Sequence, residues 1–296
     1  MPPTLTEAFP PLPLRELLDL INEFEVSSPA AKNSAITRLV AHHAVLSVEW
    51  GQDWRYRRVR KLDPEQQVTN ADHVIWRKGQ SAAPGRVNPA NFDILYLADR
   101  LYTAFAEARV TDDRVAVAEF QILPGRSVRL CPIGELFQIQ RTGHGFVSGD
   151  RSSAISRLLN ACQPLDVAKA MLITDAFLYQ LVTGQDDYEV SAQVTMSIFE
   201  RLPGITAIAY SSRLQPGAIN VATRVEHFWD DWGLTSVRSG HAKHLACGFY
   251  EFSDVRHVEA VAADGKFTWS DHVQAENELL MFRPPWTPGD IRGDLR

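Results

Sequence analysis

Gly85-Arg86-Val87-Asn88-Pro89, Ile94-Leu95-Tyr96-Leu97-Ala98 and Tyr102-Thr103-Ala104-Phe105-Ala106-Glu107 follow one another and read as a turn, a buried strand and a helix. Strand next to helix within so short a span predicts a mixed α and β fold. Asp99 is placed to cap a helix from Arg100 to Arg109, whose apolar stripe is Leu101, Ala104, Phe105 and Ala108. Glu107 falls at the edge of that stripe, where a buried carboxylate is costly unless a charged or hydroxylated group meets it. A helical ion pair with Arg100 is the competing structural reading. The stretch therefore brings a guanidinium, a phenol and a carboxylate within reach of one another, as the wall of a polar site does.

The chain has 296 residues, of which 45% are hydrophobic, enough for one large core or two modest ones. No apolar run approaches the roughly 20 residues that span a bilayer, and Met1-Pro2-Pro3-Thr4 lacks the layout of a secretory signal, so a cytoplasmic location without membrane contact is expected. Cys131, Cys162 and Cys247 are odd in number and far apart, which suits reduced thiols. A net charge of -6 argues against nucleic acid as a partner.

Residues 1–50 read as a helical extension, with helices from Pro13 to Phe24 and from Pro29 to about Val48. Residues 51–296 read as one domain, with an insertion or outer layer at about 131–187. In that insertion Gly143-His144-Gly145 is too loose for a phosphate loop. Trp54 to Leu62 carries five basic residues; as a strand it places Tyr56, Arg58, Arg60 and Leu62 on one face, so two guanidiniums project beside an aromatic ring. Paired arginines grip a phosphate by bidentate hydrogen bonds, although a charged, aggregation-resistant edge strand reads the same way. Further strands are expected at Val115–Phe120, Ile205–Tyr210 and Ala218–Ala222, with Ser212 following the second of these. Adjacent His42 and His43 cannot share a metal on a helix. Of His241, His244 and Cys247, read as helical, only the two histidines can face one ligand, so no metal is expected.

Four blocks together resemble the RES domain family, named for its Arg, Glu and Ser. They are Arg58-Val59-Arg60; Gly85 to Pro89 with Leu95 to Ala98; Thr103 to Glu107; and Ile208-Ala209-Tyr210-Ser211-Ser212 with Gly217-Ala218-Ile219-Asn220. The resemblance covers about residues 54–230. Val87 stands where the family usually has an aromatic, and Ile208 or Ala207 where it has a Gly; Arg57 competes with Arg58 for the first Arg, and Arg58 is preferred on spacing.

The resemblance implies an α+β fold with an ADP-ribosyltransferase-like core of two packed β-sheets, flanked by helices, and NAD as the substrate. It implies Arg58, Glu107 and Ser212 as catalytic residues, and Arg58, Arg60, Arg86, Asn88, Tyr96 and Asn220 as NAD-binding residues. The expected activity is that of a bacterial toxin cleaving the nicotinamide–ribose bond, as a glycohydrolase or phosphorylase, controlled by a cognate antitoxin protein. Transfer of ADP-ribose to a protein target and a non-catalytic interaction module are the alternatives, and a homo-oligomer is left open.

Overall fold

The computed structural model describes residues 3–52, 54–76, 82–184 and 188–276. In chain order the helices and strands are α1 (Leu5–Ala8), α2 (Leu14–Phe24), α3 (Pro29–His42), β1 (Val48–Trp50), β2 (Arg55–Lys61), β3 (Ile94–Ala98), α4 (Leu101–Glu107), β4 (Asp112–Ile122) and β5 (Val128–Pro132). They continue with α5 (Glu135–Thr142), α6 (Ser152–Ala161), α7 (Leu165–Thr183), α8 (Tyr188–Arg201), β6 (Ala207–Ser211), β7 (Ile219–Arg224), α9 (Phe228–Asp231), β8 (Trp232–Ala246), β9 (Phe249–Val261), β10 (Phe267–Trp269) and β11 (Gln274–Glu276). The fold is mixed α+β.

The strands follow one path, β1-β5-β6-β7-β3-β2-β4-β8-β9-β10, with β11 on β9. Only β5 and β6 run parallel among these pairs. The path has one weak point. β3 is paired with β7 from Ile94 to Ala98, and β2 with β4 from Arg55 to Lys61, yet β2 meets β3 only at Arg57 and Ala98. The sheet therefore divides into two halves that part along β2 and β3. Leu95, Leu97, Ala207, Ala209 and Val221 of one half share a single core with Tyr56, Ala116, Ala118 and Phe120 of the other. All the strands thus belong to one continuous sheet.

Both outer faces are covered. Ile208, Tyr210 and Ala222 pack under Leu17, Ile36, Leu39, Leu178 and Ile198 of α2, α3, α7 and α8. Leu101 and Phe105 of α4 cover Val115, Val117, Tyr250 and Phe252 on the other side. Burial on both faces explains why Val115-Ala116-Val117-Ala118 shows no polar alternation. Helix α3 starts where Ser28 accepts a hydrogen bond from the Ala31 amide with Pro29 in the first turn, and it ends at His42 rather than near Val48, which opens β1. The segment after Cys131 supplies α5, α6 and α7, while Cys131 itself lies in β5, between β1 and β6.

Asp99 does not cap α4. Arg100 holds the cap position without a side-chain bond, and an Asp99 carboxyl oxygen accepts from Thr103 Oγ1 at 3.3 Å. The reason lies in the strand pairing: the Asp99 amide donates to the Ile219 carbonyl, so this residue still belongs to the sheet.

Strand β8 pairs with β4 from Trp232 to Lys243, and β9 supplies Tyr250 and Phe252 beneath Phe105 at ring separations of 5.3 and 5.4 Å. A chain cut after Asp231 loses both, uncovering β4 and α4. Such a fragment should fail to fold cooperatively; a sharp thermal transition by circular dichroism would show that the second half-sheet does not need its C-terminal strands.

Candidate functional site

The site lies where the two halves part. A cavity of about 170 Å³ opens at the β2/β3 seam, lined among others by Arg57, Arg58, Tyr96, Glu107, Tyr210 and Asn220. Glu107 is the last residue of α4, which a positive-φ Arg109 (φ 54°) ends two residues later, so its side chain stands at the rim and is exposed. Its Oε1 accepts two hydrogen bonds, from Ser212 Oγ at 2.7 Å and from Asn220 Nδ2 at 2.6 Å. Among the described residues, no donor reaches Oε2 of Glu107. The helical ion pair of Glu107 with Arg100 does not form: Arg100 pairs with Asp99 at 3.3 Å.

Ser212 follows β6 and is buried. Its hydroxyl accepts from the amides of Leu214 and Gln215 at 3.1 and 3.2 Å and spends its own proton on Glu107. The same loop is tied to the β8–β9 turn, where Gln215 Nε2 donates to the Gly248 carbonyl at 2.9 Å.

Successive residues of β2 point to opposite faces, yet Arg57 and Arg58 both line the cavity because β2 leaves β3 there. Arg58 donates to the Tyr96 carbonyl at 3.2 Å. Arg57 donates to the carbonyls of Arg55 and Asp99, at 2.7 and 2.9 Å, and meets the buried Glu119 at 3.3 Å. Glu119 also takes Arg238 at 3.0 Å and the more exposed Arg55 at 3.9 Å, so one buried carboxylate faces three guanidiniums. Arg60, expected beside Arg58, is carried away from the cavity: its guanidinium donates to the Ile75 carbonyl.

Tyr96 and Asn88 brace the loop before β3. The Tyr96 hydroxyl donates to Asn88 Oδ1 at 2.6 Å and accepts from the Val87 amide at 3.1 Å, while Asn88 Nδ2 donates to the carbonyls of Ala83 and Pro89. Gly85 is needed there, since a Cβ would come within 2.6 Å of the Tyr96 hydroxyl. Asn88 is therefore a buried strut of the loop, outside the cavity lining. Arg86 donates to the Val182 carbonyl at 2.9 Å and lies over the Tyr188 ring at 5.8 Å. Burial raises the Tyr96 hydroxyl pKa well above its ordinary range, against the lowering influence of Arg86 and Arg58. Burial also raises that of Tyr210, and Tyr96 and Glu107 add to the effect. Both phenols stay neutral donors at physiological pH.

Sequence reasoning missed Tyr210 and Glu119 as members of the site. Tyr210 shares a strand face with Ile208 and reads as core, which it also is. Glu119 was legible as a lone charge in the apolar run Val115–Phe120.

Other motifs resolve into structure. His241 and His244 lie on strand β8, not a helix, and His241 meets Asp112 at 3.0 Å. Among the described residues, no three metal-type side chains gather. The Gly143–Ser148 loop does bind an anion, but its own: the amides of Phe146, Val147 and Ser148 donate to the fully buried Glu135 carboxylate at 3.0, 3.1 and 2.7 Å. A larger cavity of about 320 Å³, at Thr206, Thr223 and Arg224, contains none of the expected residues, and Arg224 is already paired with Glu226 at 2.6 Å.

A family model, the RES domain, matches residues 54–230, more than half of the chain. The chain belongs to the RES domain family. That family is associated with NAD use and with toxins. The matched span of this RES domain contains Arg57, Arg58, Glu107, Ser212 and Asn220, and it stops before β8 and β9, which complete the second half-sheet. No curated protein matches the chain. No helix among the described residues is long and apolar enough to cross a membrane.

Removing the Tyr96 hydroxyl leaves Asn88 Oδ1 and the Val87 amide short of a partner in a buried setting. Tyr96→Phe should lower stability by about 1–3 kcal/mol, read from urea unfolding, and a variant as stable as wild type would show that the loop is held by other bonds.

Proposed function

We propose that this RES domain breaks the nicotinamide–ribose bond of NAD and passes ADP-ribose to water or inorganic phosphate. The observation that carries the reading is the Glu107 carboxylate at the rim of the seam, with Ser212 and Asn220 both on Oε1 and two arginines in the same cavity wall. Nicotinamide leaves as a neutral molecule from a cationic ring, so bond breaking needs no general acid, and positive charge develops on the ribose as in glycoside cleavage. A fixed carboxylate stabilises that charge and accepts a hydrogen bond from a ribose hydroxyl. Arg58, with Arg57 across the strand and Arg86 behind Tyr96, supplies the positive field for the pyrophosphate.

The cavity volume supports only part of the dinucleotide inside it. About 170 Å³ is below the roughly 300–1,000 Å³ of ordinary small-molecule sites, which suits the nicotinamide riboside end, with the rest along the seam. Two half-sheets parting at a charged cleft is also the architecture expected of an ADP-ribosyltransferase-like core. The chemistry assigns no role to a metal or to a cysteine nucleophile; burial, with Asp175 adding to it, raises the Cys131 thiol pKa far above its ordinary range.

Within this reading the protein acts as an intracellular toxin whose partner is an antitoxin covering the seam. Transfer to a protein target is the second reading. It rests on the end of the β8–β9 hairpin, where Leu245 and Phe249 are more than half exposed and Phe249 meets Tyr102 of α4 at 6.2 Å, an apolar surface beside the site.

Incubation of the purified chain with NAD, with and without phosphate and with a labelled cell extract, separates these outcomes by nicotinamide release, product identity and protein labelling. No release under any of these conditions, from protein free of a bound inhibitor, would overturn the proposal. Glu107→Gln should lower release by about 100-fold or more, because an amide replaces the anion, and should shift stability by no more than about 0.5 kcal/mol. A fully active variant would mean that another group stabilises the ribose.

A further inference from the structure

The family resemblance implies that Asn220 touches the dinucleotide, and the structure puts its side chain on the protein's own carboxylate. Its Nδ2 lies 2.6 Å from Glu107 Oε1, the same oxygen that Ser212 takes at 2.7 Å. The two donors differ in what holds them. Ser212 belongs to a loop and is steadied by two amides of that loop. Asn220 sits inside β7, 5% exposed, with its backbone paired to Tyr210 on one side and Ala98 on the other. The sheet itself therefore fixes where its amide points.

A glutamate at the exposed end of a helix has several rotamers open to it. Two donors arriving at one oxygen from different elements select one of them and leave the second oxygen for another group. We propose that Asn220 is a positioning residue: it holds the Glu107 carboxylate in one orientation, with Oε2 turned to the cavity, and binds no substrate itself. A reacting group held in place spares the cost of orienting it during reaction. An amide suits the task because, unlike a carboxylate or imidazole, its donor does not change with pH. This inference rests on the NAD-cleaving reading for its kinetic consequences, though the geometry it describes does not depend on the substrate.

Three measurements test it. In Asn220→Ala, kcat for nicotinamide release should fall about 10- to 100-fold with KM within about two-fold of wild type, since an interaction that orients the reacting group is lost while ground-state binding is kept. In Asn220→Asp, two carboxylates face each other and resist joint ionisation, so activity should be lost on acidification at least about one pH unit higher than in wild type. The Glu107 carboxyl carbon signal, assigned by its disappearance in Glu107→Gln, should change position at fixed neutral pH in Asn220→Ala, because one of the two donors on Oε1 is gone. That last readout needs no NAD, so it stands even if the wild-type protein releases no nicotinamide, a result that would count against the proposed reaction alone. A raised KM with unchanged kcat in Asn220→Ala, an acid limb unmoved in Asn220→Asp, or an unshifted Glu107 signal would each overturn the assignment. If both variants fail to fold, Asn220 is structural and the assignment fails as well.

Discussion

The structure turns on a failure of strand pairing. Hydrogen bonding binds β3 to β7 and β2 to β4 along their lengths, but β2 and β3 share only Arg57 and Ala98. A fully paired β2/β3 ladder would close the wall and leave Arg58 no room beside Tyr96. Because the strands separate, consecutive arginines on opposite faces of β2 reach one cavity, and the end of α4 can deliver Glu107 to the same place. The shared core between the halves keeps the opening from collapsing, since it is filled with aliphatic and aromatic side chains from both sides.

Charge at the seam is managed by partners on the protein. Arg57 is oriented by Glu119, which is itself buried and also holds Arg238. Removing such a carboxylate would take the buried counter-charge from Arg57 and Arg238, so the network is best regarded as a mount that sets the angle of Arg57. Asp99 shows the opposing pull: burial raises its carboxyl pKa, while Arg100, the Ile219 amide, Thr103 and Arg57 lower it.

Much of this was legible in the sequence. Strand β3 has the bounds expected of it, the face shared by Tyr56, Arg58 and Arg60 follows from a period of two, and a hydroxyl does meet the lone helix carboxylate, although Glu107 is exposed at the rim and not buried. What could not be seen depends on distance in the chain. Periodicity places Arg60 beside Arg58 but cannot know that Ile75 waits there with a free carbonyl direction, and it says nothing about where two strands part. Asn88 and Tyr96 read as ligand-facing, and what sequence could not show is their hydroxyl–amide contact across eight residues, which makes both of them supports for the loop while Tyr96 also lines the cavity. The run from His241 to Cys247 looked helical because a Lys- and Ala-containing run carries little strand signal; the long register of β8 on β4 overrides that local preference at His241, and Cys247 falls in the β8–β9 turn.

The bond between Gln215 and Gly248 has a temporal side. Arg58, Glu107 and Ser212 all leave the ribosome before the β8–β9 hairpin that steadies the Ser212 loop and covers the outer face of α4. The nascent chain thus holds these three side chains early and the strands that pack around them late. Order of synthesis alone delays assembly of the cleft until β8 and β9 have been made.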